Sequence, residues 1–208
     1  VRMLNDGSAD HARVDNLKCI TYGGAPMYLA DLKKSLAVFG AKLYQIYGQG
    51  EAPMTITGLS KREHAQALEV GDNELLLSAG YARTGVEVRV VDEHDRDLPI
   101  GETGEIITRS DCVMSGYWEN AAANAATLRG GWLHTGDMGS LDSRGLLTIR
   151  DRSKDLIISG GSNIYPREIE DVLLLNNKVA QASVIGIPHA EWGEEVIAFV
   201  VTAPGTQL

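Results

Sequence analysis

"IRDRSKDLIISGGSNIYPREIE", Ile149 to Glu170, is the stretch on which the reading of this chain turns. A run of charges, a short apolar strand, two glycines and a helix start follow one another without a spacer. The helix is well signalled. Pro166 stands in its first turn, Glu168 and Glu170 lie near the positive end of its dipole, and Val172, Leu173 and Leu174 follow. Asn163 or Tyr165 caps or precedes it. The glycines invite a phosphate-loop reading, but that signature needs a Lys-Ser/Thr after its last glycine, and "SGGSN" has none. A G-x-G-x-x-G dinucleotide fingerprint is absent there too. Taken alone, Arg150, Asp151, Arg152, Lys154 and Asp155 read as a solvated connection. A new unit therefore starts beyond Asp151.

Upstream, "LKCITYGGAPM" (Leu17–Met27) reads as a buried strand that leaves through Gly23–Gly24 into Pro26. "YLADLKKSLAVFG" places Leu29, Leu32, Leu36 and Phe39 at helical spacing, and Gly40 suits its end. "AKLYQIYGQGE" is a second strand entering a turn at Gly48 and Gly50. Strand, helix, strand is the pattern of a parallel sheet, and both glycine turns belong at its carboxyl edge. After Gly58 the pattern changes. "GVEVRVVD" alternates Val86, Val88 and Val90 with polar residues, and "EHDRDLPIGETGEIITR" turns and returns. An antiparallel β region of roughly 73–150 is expected, closing with "GLLTIRD". Beyond it come a strand Asp155–Ser159, a helix Pro166–Asn176 and strands Ala180–Ile187 and Glu195–Thr202. That last unit is small for a core of its own and looks truncated. Val1, without a start methionine or targeting segment, looks like a cut through a longer protein.

The 208 residues are 44% hydrophobic and 23% charged, an ordinary soluble composition. A net charge of −9 and a pI near 5.0 supply no broad cationic face, so a sequence-independent nucleic-acid partner is excluded. Cys19 and Cys112 form no CxxC pattern, so two reduced thiols are expected rather than a disulfide or zinc site. No apolar run is long enough to span a bilayer, and a cytoplasmic location is expected. Nothing in the sequence sets an oligomeric state.

Three turns could carry chemistry. In "YGQGE", Tyr47 to Glu51, a strand-end aromatic can stack on a planar base, glycines admit a ligand to the backbone, and a carboxylate can hold Mg²⁺. An exposed turn with an incidental Glu fits the same letters. "YGGAP" is equally open to a plain strand-to-helix turn. In "GWLHTGD", Gly131 to Asp137, a Thr-Gly turn presents one carboxylate, which suits two vicinal hydroxyls or simply caps its own backbone. His134, beside Trp132, reads as packed rather than catalytic.

Together these motifs have a resemblance. Tyr22-Gly-Gly-Ala-Pro, Tyr47-Gly-x-x-Glu51, Gly131-Trp-Leu-His-Thr-Gly-Asp137 and Asp151-Arg-x-Lys-Asp through Tyr165-Pro-x-Glu-Ile-Glu170 occur in one order. That order resembles the adenylate-forming superfamily of acyl-CoA synthetases, peptide-synthetase adenylation domains and firefly luciferase, over essentially the whole chain. The resemblance implies a mixed α/β fold. Residues 1–152 would be the C-terminal part of a large AMP-binding domain, with a βαβ piece at 1–60 and an antiparallel β subdomain at about 73–150. Residues 153–208 would start a small α+β C-terminal domain.

The resemblance further implies a carboxylic acid, a fatty or related acid, activated by ATP and Mg²⁺ as an acyl-adenylate and passed to coenzyme A. Tyr47, with Gly48, would stack on adenine, and Gly23, Gly24 and Ala25 would border the adenine and the acyl pocket. Glu51 would bind Mg²⁺, Asp137 the ribose hydroxyls, and Arg152 would assist at the ribose or phosphate. Lys154 falls at the hinge about which the small domain rotates. Gly160 and Gly161 would line the tunnel for the thiol. Three departures stand against the pattern. Gly50 replaces the threonine usual before the acidic residue, the phosphate loop would lie upstream, and the late catalytic lysine would lie downstream. This chain alone is therefore expected not to make an adenylate. Two alternatives stay open: an adenylation domain loading a carrier-protein thiol, and a non-catalytic nucleotide-binding or scaffold relative.

Overall fold

The computed structural model describes residues 2–5, 7–9, 13–25 and 27–206; Val1 and Pro26, named above, lie outside the described residues. The chain forms two compact units: 1–135 with 139–149, and 136–138 with 150–208.

The first unit is built on an eight-stranded sheet. Its strands are β1 (Ile20–Gly23), β2 (Leu43–Gln49), β3 (Ala52–Leu59), β4 (Gly80–Ala82), β5 (Glu87–Val91), β6 (Gly104–Arg109), β7 (Leu133–Leu141) and β8 (Leu146–Arg152), of which residues 136–138 of β7 and 150–152 of β8 count with the second unit. They run in the order β1-β2-β3-β4-β8-β7-β6-β5. β1 and β2 are parallel and flank the helix Leu29–Phe39, which ends at Gly40 with φ 70°, as its spacing predicts. β1 itself departs from expectation. It is short, and it alternates half-buried with exposed residues because it stands at the sheet edge with a neighbour on one side only.

The sheet then turns antiparallel. β2 pairs with β3, β3 with β4, and β4 with β8, so the strands after Gly80 continue the same sheet rather than building another. The β region was expected from Asn73, but Asn73–Leu77 is a helix. The Asp72 carboxylate accepts from the Leu75 N–H at 2.9 Å and nucleates a turn there. Before it, Lys61–Val70 is a helix opened by a reciprocal capping box between Ser60 and Glu63. Neither helix nor β3 was anticipated.

Two apolar clusters hold this unit. Leu32, Leu36 and Phe39 meet Leu43, Leu59, Ala67 and Leu76 on one side. Tyr47, Ala52, Ile56, Ile106, Leu133 and Leu147 make the other. Each fully buried Leu or Ile contributes about 1.5–3 kcal/mol.

The second unit carries a four-stranded antiparallel sheet, β10-β9-β12-β11, from β9 (Ile157–Ser159), β10 (Ser162–Ile164), β11 (Val179–His189) and β12 (Gly193–Thr202). β10 was not expected, Asn163 lies within it, and the helix beyond runs Pro166–Leu174 rather than to Asn176. Gly160 and Gly161, with φ of 56° and 81°, are the two-residue turn joining β9 to β10, where Ser159 pairs with Ser162. A tight hairpin of that length takes positive φ at both turn residues, which explains the glycine pair on backbone grounds alone.

The charge run is more than a solvated connection. Arg150 pairs with Glu168 at 2.9 Å. The Asp151 carboxylate accepts from the Arg167 backbone N–H at 3.3 Å, supplying the helix cap that Tyr165, at the N-cap position, does not.

Candidate functional site

Because β1 and β2 run parallel, the turns after both lie at one carboxyl edge of the sheet. Gly23 pairs with Ile46, and a Cβ there would stand 2.4 Å from the Ile46 carbonyl oxygen, so no side chain fits. Gly24 then turns with φ 83°, and Ala25 is exposed.

This turn is anchored from behind by a pair the sequence reading passed over. The Tyr22 O–H and His64 Nε2 are 2.8 Å apart, and His64 Nδ1 lies 2.8 Å from the Ser60 carbonyl oxygen. A carbonyl only accepts, so Nδ1 carries the proton and Nε2 accepts from the phenol. His64 is fully buried, which holds the imidazole below its ordinary value, while burial pushes the Tyr22 phenol up. The only local signal was the capping box on His64's helix.

The β2–β3 hairpin supplies the second turn. Tyr47 is 7% exposed and packed among Ala52, Ile56 and Leu133, so most of its ring already has apolar neighbours. At Gly48 the strand register shifts, and a Cβ would come within 2.4 Å of the Met54 nitrogen. Gly50 is different: a Cβ there would meet nothing within 4 Å. Glu51 is half-buried, and its Oε1 accepts from the Tyr117 O–H at 2.6 Å. That bond to Glu51, ahead of burial, raises the Tyr117 phenol. Tyr117 was not singled out in the sequence.

Among the described residues no three His, Cys, Asp or Glu side chains cluster as a metal cage. One carboxylate at a turn fits Mg²⁺ delivered with substrate phosphates, since that ion takes few protein ligands and keeps water and phosphate oxygens.

In the second unit, Asp137 and Arg152 come together. Arg152 Nε lies 3.4 Å from Asp137 Oδ1; the carboxylate is 10% exposed and the guanidinium 58%. Lys154 is exposed in a short 3₁₀ turn, Ser153–Asp155. A Cβ on Gly160 would stand 2.7 Å from the Trp192 ring, and the Gly160 N–H donates to the Trp192 carbonyl at 2.8 Å. Gly161 has nothing within 4 Å of the same position.

Gly131 to Thr135, the start of "GWLHTGD", belong to the first unit and are structural. Trp132 lies under the guanidinium groups of Arg89 and Arg109, at 5.0 and 4.4 Å. His134 is buried, with Nδ1 2.9 Å from Glu105. The predicted residues thus divide: Gly23, Gly24, Ala25, Tyr47, Gly48 and Glu51 lie on the first unit, and Asp137, Arg152, Lys154, Gly160 and Gly161 on the second.

Comparison with known proteins gives consistent matches. The family model for AMP-binding enzymes matches residues 1–118, and that for the AMP-binding enzyme C-terminal domain matches 168–208. The chain is 41% identical over 205 residues to the fatty acid–[acyl-carrier-protein] ligase ScoC of Streptomyces coeruleorubidus, covering 99% of this chain and 38% of that protein. It is 39% identical over 199 residues to the medium/long-chain-fatty-acid–CoA ligase FadD8 of Mycobacterium tuberculosis, covering 95% of this chain and 34% of that protein. The chain thus spans little more than a third of these relatives. Among solved structures, the amide bond synthetase McbA from Marinactinospora thermotolerans superposes with a TM-score of 0.89 at 34% identity, over all of this chain and 41% of that one. The o-succinylbenzoate CoA synthetase of Bacillus subtilis, in complex with its acyl-adenylate, gives 0.83 at 34% identity, over 99% of this chain and 41% of that one.

Proposed function

The chain belongs to the AMP-binding enzyme family, and on that premise we propose that the full-length protein is an ATP-dependent carboxylate–CoA ligase of the cytoplasm. Its substrate is a fatty or related acid. In the first half-reaction a carboxylate oxygen attacks the α-phosphorus of ATP; the new C–O–P anhydride forms as pyrophosphate leaves. In the second, the thiol sulfur of coenzyme A attacks the acyl carbon, the C–O bond breaks, and AMP and a proton leave.

The first unit's edge then receives the base. Gly23, Gly24 and Ala25 border the adenine and the acyl group, while Tyr47 and Gly48 offer a ring face and close backbone approach. Glu51 is the Mg²⁺ contact; the ion would neutralise phosphate charge during adenylation. Asp137 accepts from the ribose hydroxyls, and Arg152, already paired with it, reaches the ribose or phosphate. Lys154 lies at the pivot between the two half-reactions, and Gly160 and Gly161 border the path of the thiol.

The observation that carries this reading is the parallel pairing of β1 with β2, which sets both glycine turns and Glu51 at one sheet edge, where open α/β sheets take nucleotides. Carboxylate-dependent release of pyrophosphate from ATP by the full-length protein tests it; no release leaves a nucleotide-binding scaffold. Asp137→Ala is expected to weaken AMP binding by roughly 1.5–3 kcal/mol for each charge-assisted hydrogen bond lost. Calorimetric titration checks this, and unchanged affinity removes Asp137 from the site.

The similarity to ScoC favours a second reading, in which the acceptor is the thiol of a carrier protein. Supplying coenzyme A or a phosphopantetheinylated carrier to the preformed adenylate, and measuring AMP release, separates the two.

A further inference from the structure

Tyr117 is 66 positions from Glu51 in sequence, yet its hydroxyl donates to Glu51 Oε1 at 2.6 Å. The segment bearing it is fixed at several points. The Met114 N–H donates to the Glu51 carbonyl oxygen at 2.8 Å. Asn124 grips the Tyr117 backbone from both sides: Oδ1 accepts from the Tyr117 N–H at 2.6 Å, and Nδ2 donates to the Tyr117 carbonyl at 3.1 Å. Asn124 lies on the short helix Ala121–Thr127, whose N-cap, Asn120, accepts from the Ala123 N–H at 3.1 Å. That helix buries none of its residues, so it contributes little to the core. What it orders is Tyr117.

We infer that Tyr117 is a positioning residue for Glu51, its hydroxyl fixing Oε1 and the side-chain rotamer so that Oε2 is presented to the divalent cation arriving with the nucleotide. The inference rests on the proposed reading of Glu51 as the metal contact. A phenol suits the task. It donates a strong charge-assisted hydrogen bond but brings no positive charge, so the carboxylate stays anionic for a cation. A Lys or Arg in its place would neutralise the group and compete with the metal. Without the hydroxyl, Glu51 regains its rotamer freedom and must lose it again when the metal binds. In that contact the phenol is the donor and Oε1 the acceptor, which leaves Oε2 open.

The test uses the full-length enzyme saturated with a non-hydrolysable ATP analogue, titrated with Mn²⁺ and read by electron paramagnetic resonance of the free ion. Tyr117→Phe is expected to weaken Mn²⁺ binding about fivefold to tenfold, the scale of one ordinary net hydrogen bond, because the loss reaches the metal only through the freed Glu51 rotamer. Adding Tyr117→Phe to Glu51→Gln should then cause no further loss. Wild-type Mn²⁺ affinity in Tyr117→Phe, alongside weakened binding in Glu51→Gln, overturns the inference and leaves the Glu51 reading intact. Wild-type affinity in Glu51→Gln removes that reading, and the inference falls with it.

Discussion

The chain uses the dipeptide Gly-Gly at the head of each unit's candidate turn, and the two pairs are constrained alike in one respect and differently in another. In both, the first glycine lacks space for a side chain and the second stands at a left-handed angle, which Gly160 shares at φ 56° and Gly23 does not. Gly24 and Gly161 sit at φ 83° and 81° with nothing near a hypothetical Cβ. The first positions differ in what stands behind them. At Gly23 it is the Ile46 carbonyl of the adjacent strand, at 2.4 Å; at Gly160 it is the ring of Trp192, at 2.7 Å. A strand backbone locked in a ladder cannot give way, whereas Trp192 is 53% exposed and has solvent to move into. A glycine's importance thus depends on the compliance of its neighbour, which identical letters do not reveal.

Substitutions can break that comparison. Gly23→Ala is expected to have the largest effect, more than about 3 kcal/mol in urea denaturation, because β1 must separate from β2 to admit the methyl. A loss under 1 kcal/mol would mean that the sheet edge yields. Gly160→Ala should follow at about 2–3 kcal/mol, combining a displaced Trp192 with a left-handed alanine, and Gly161→Ala at about 1–2 kcal/mol from the angle alone. Indole fluorescence separates these two, since only Gly160→Ala should shift the Trp192 emission. Gly50 sharpens the contrast from the other side. It has open space and no left-handed angle, so Gly50→Thr should change stability by less than about 0.5 kcal/mol, measured the same way.

How much of this was legible in the sequence follows the range of the interactions. The βαβ piece was, because Leu29, Leu32, Leu36 and Phe39 repeat at helical spacing and Gly40 closes the helix. The helix Lys61–Val70 was signalled only at its cap, Ser60 with Glu63, and its polar sequence hid the rest. The hairpin strand β10 escaped because three residues, Ser162 to Ile164, carry no periodicity. At the candidate site, local turns could be read as motifs. Contacts across the fold could not: Tyr117 to Glu51, Tyr22 to His64 and Asp151 to the Arg167 N–H join residues that no short pattern relates. The Gly160–Gly161 pair was noticed for its chemistry, but its conformational reason emerged only once β9 and β10 were paired.

The bridge from Tyr22 through His64 to Ser60 makes the sheet-edge turn sensitive to acid. Burial depresses the His64 pKa in the folded chain, so the native state takes up its proton later than the unfolded chain does. The stability this contributes is whole above the unfolded value of about 6.5 and drains away as pH falls from there through the lower native value. A glutamine can give its amide hydrogen to Ser60 and its oxygen to Tyr22 without titrating, so His64→Gln should flatten the acid limb of the melting-temperature profile. A protonated ring would turn a second N–H toward the phenol, and Tyr22, one position before the glycines, would have to swing its own hydrogen away and accept instead.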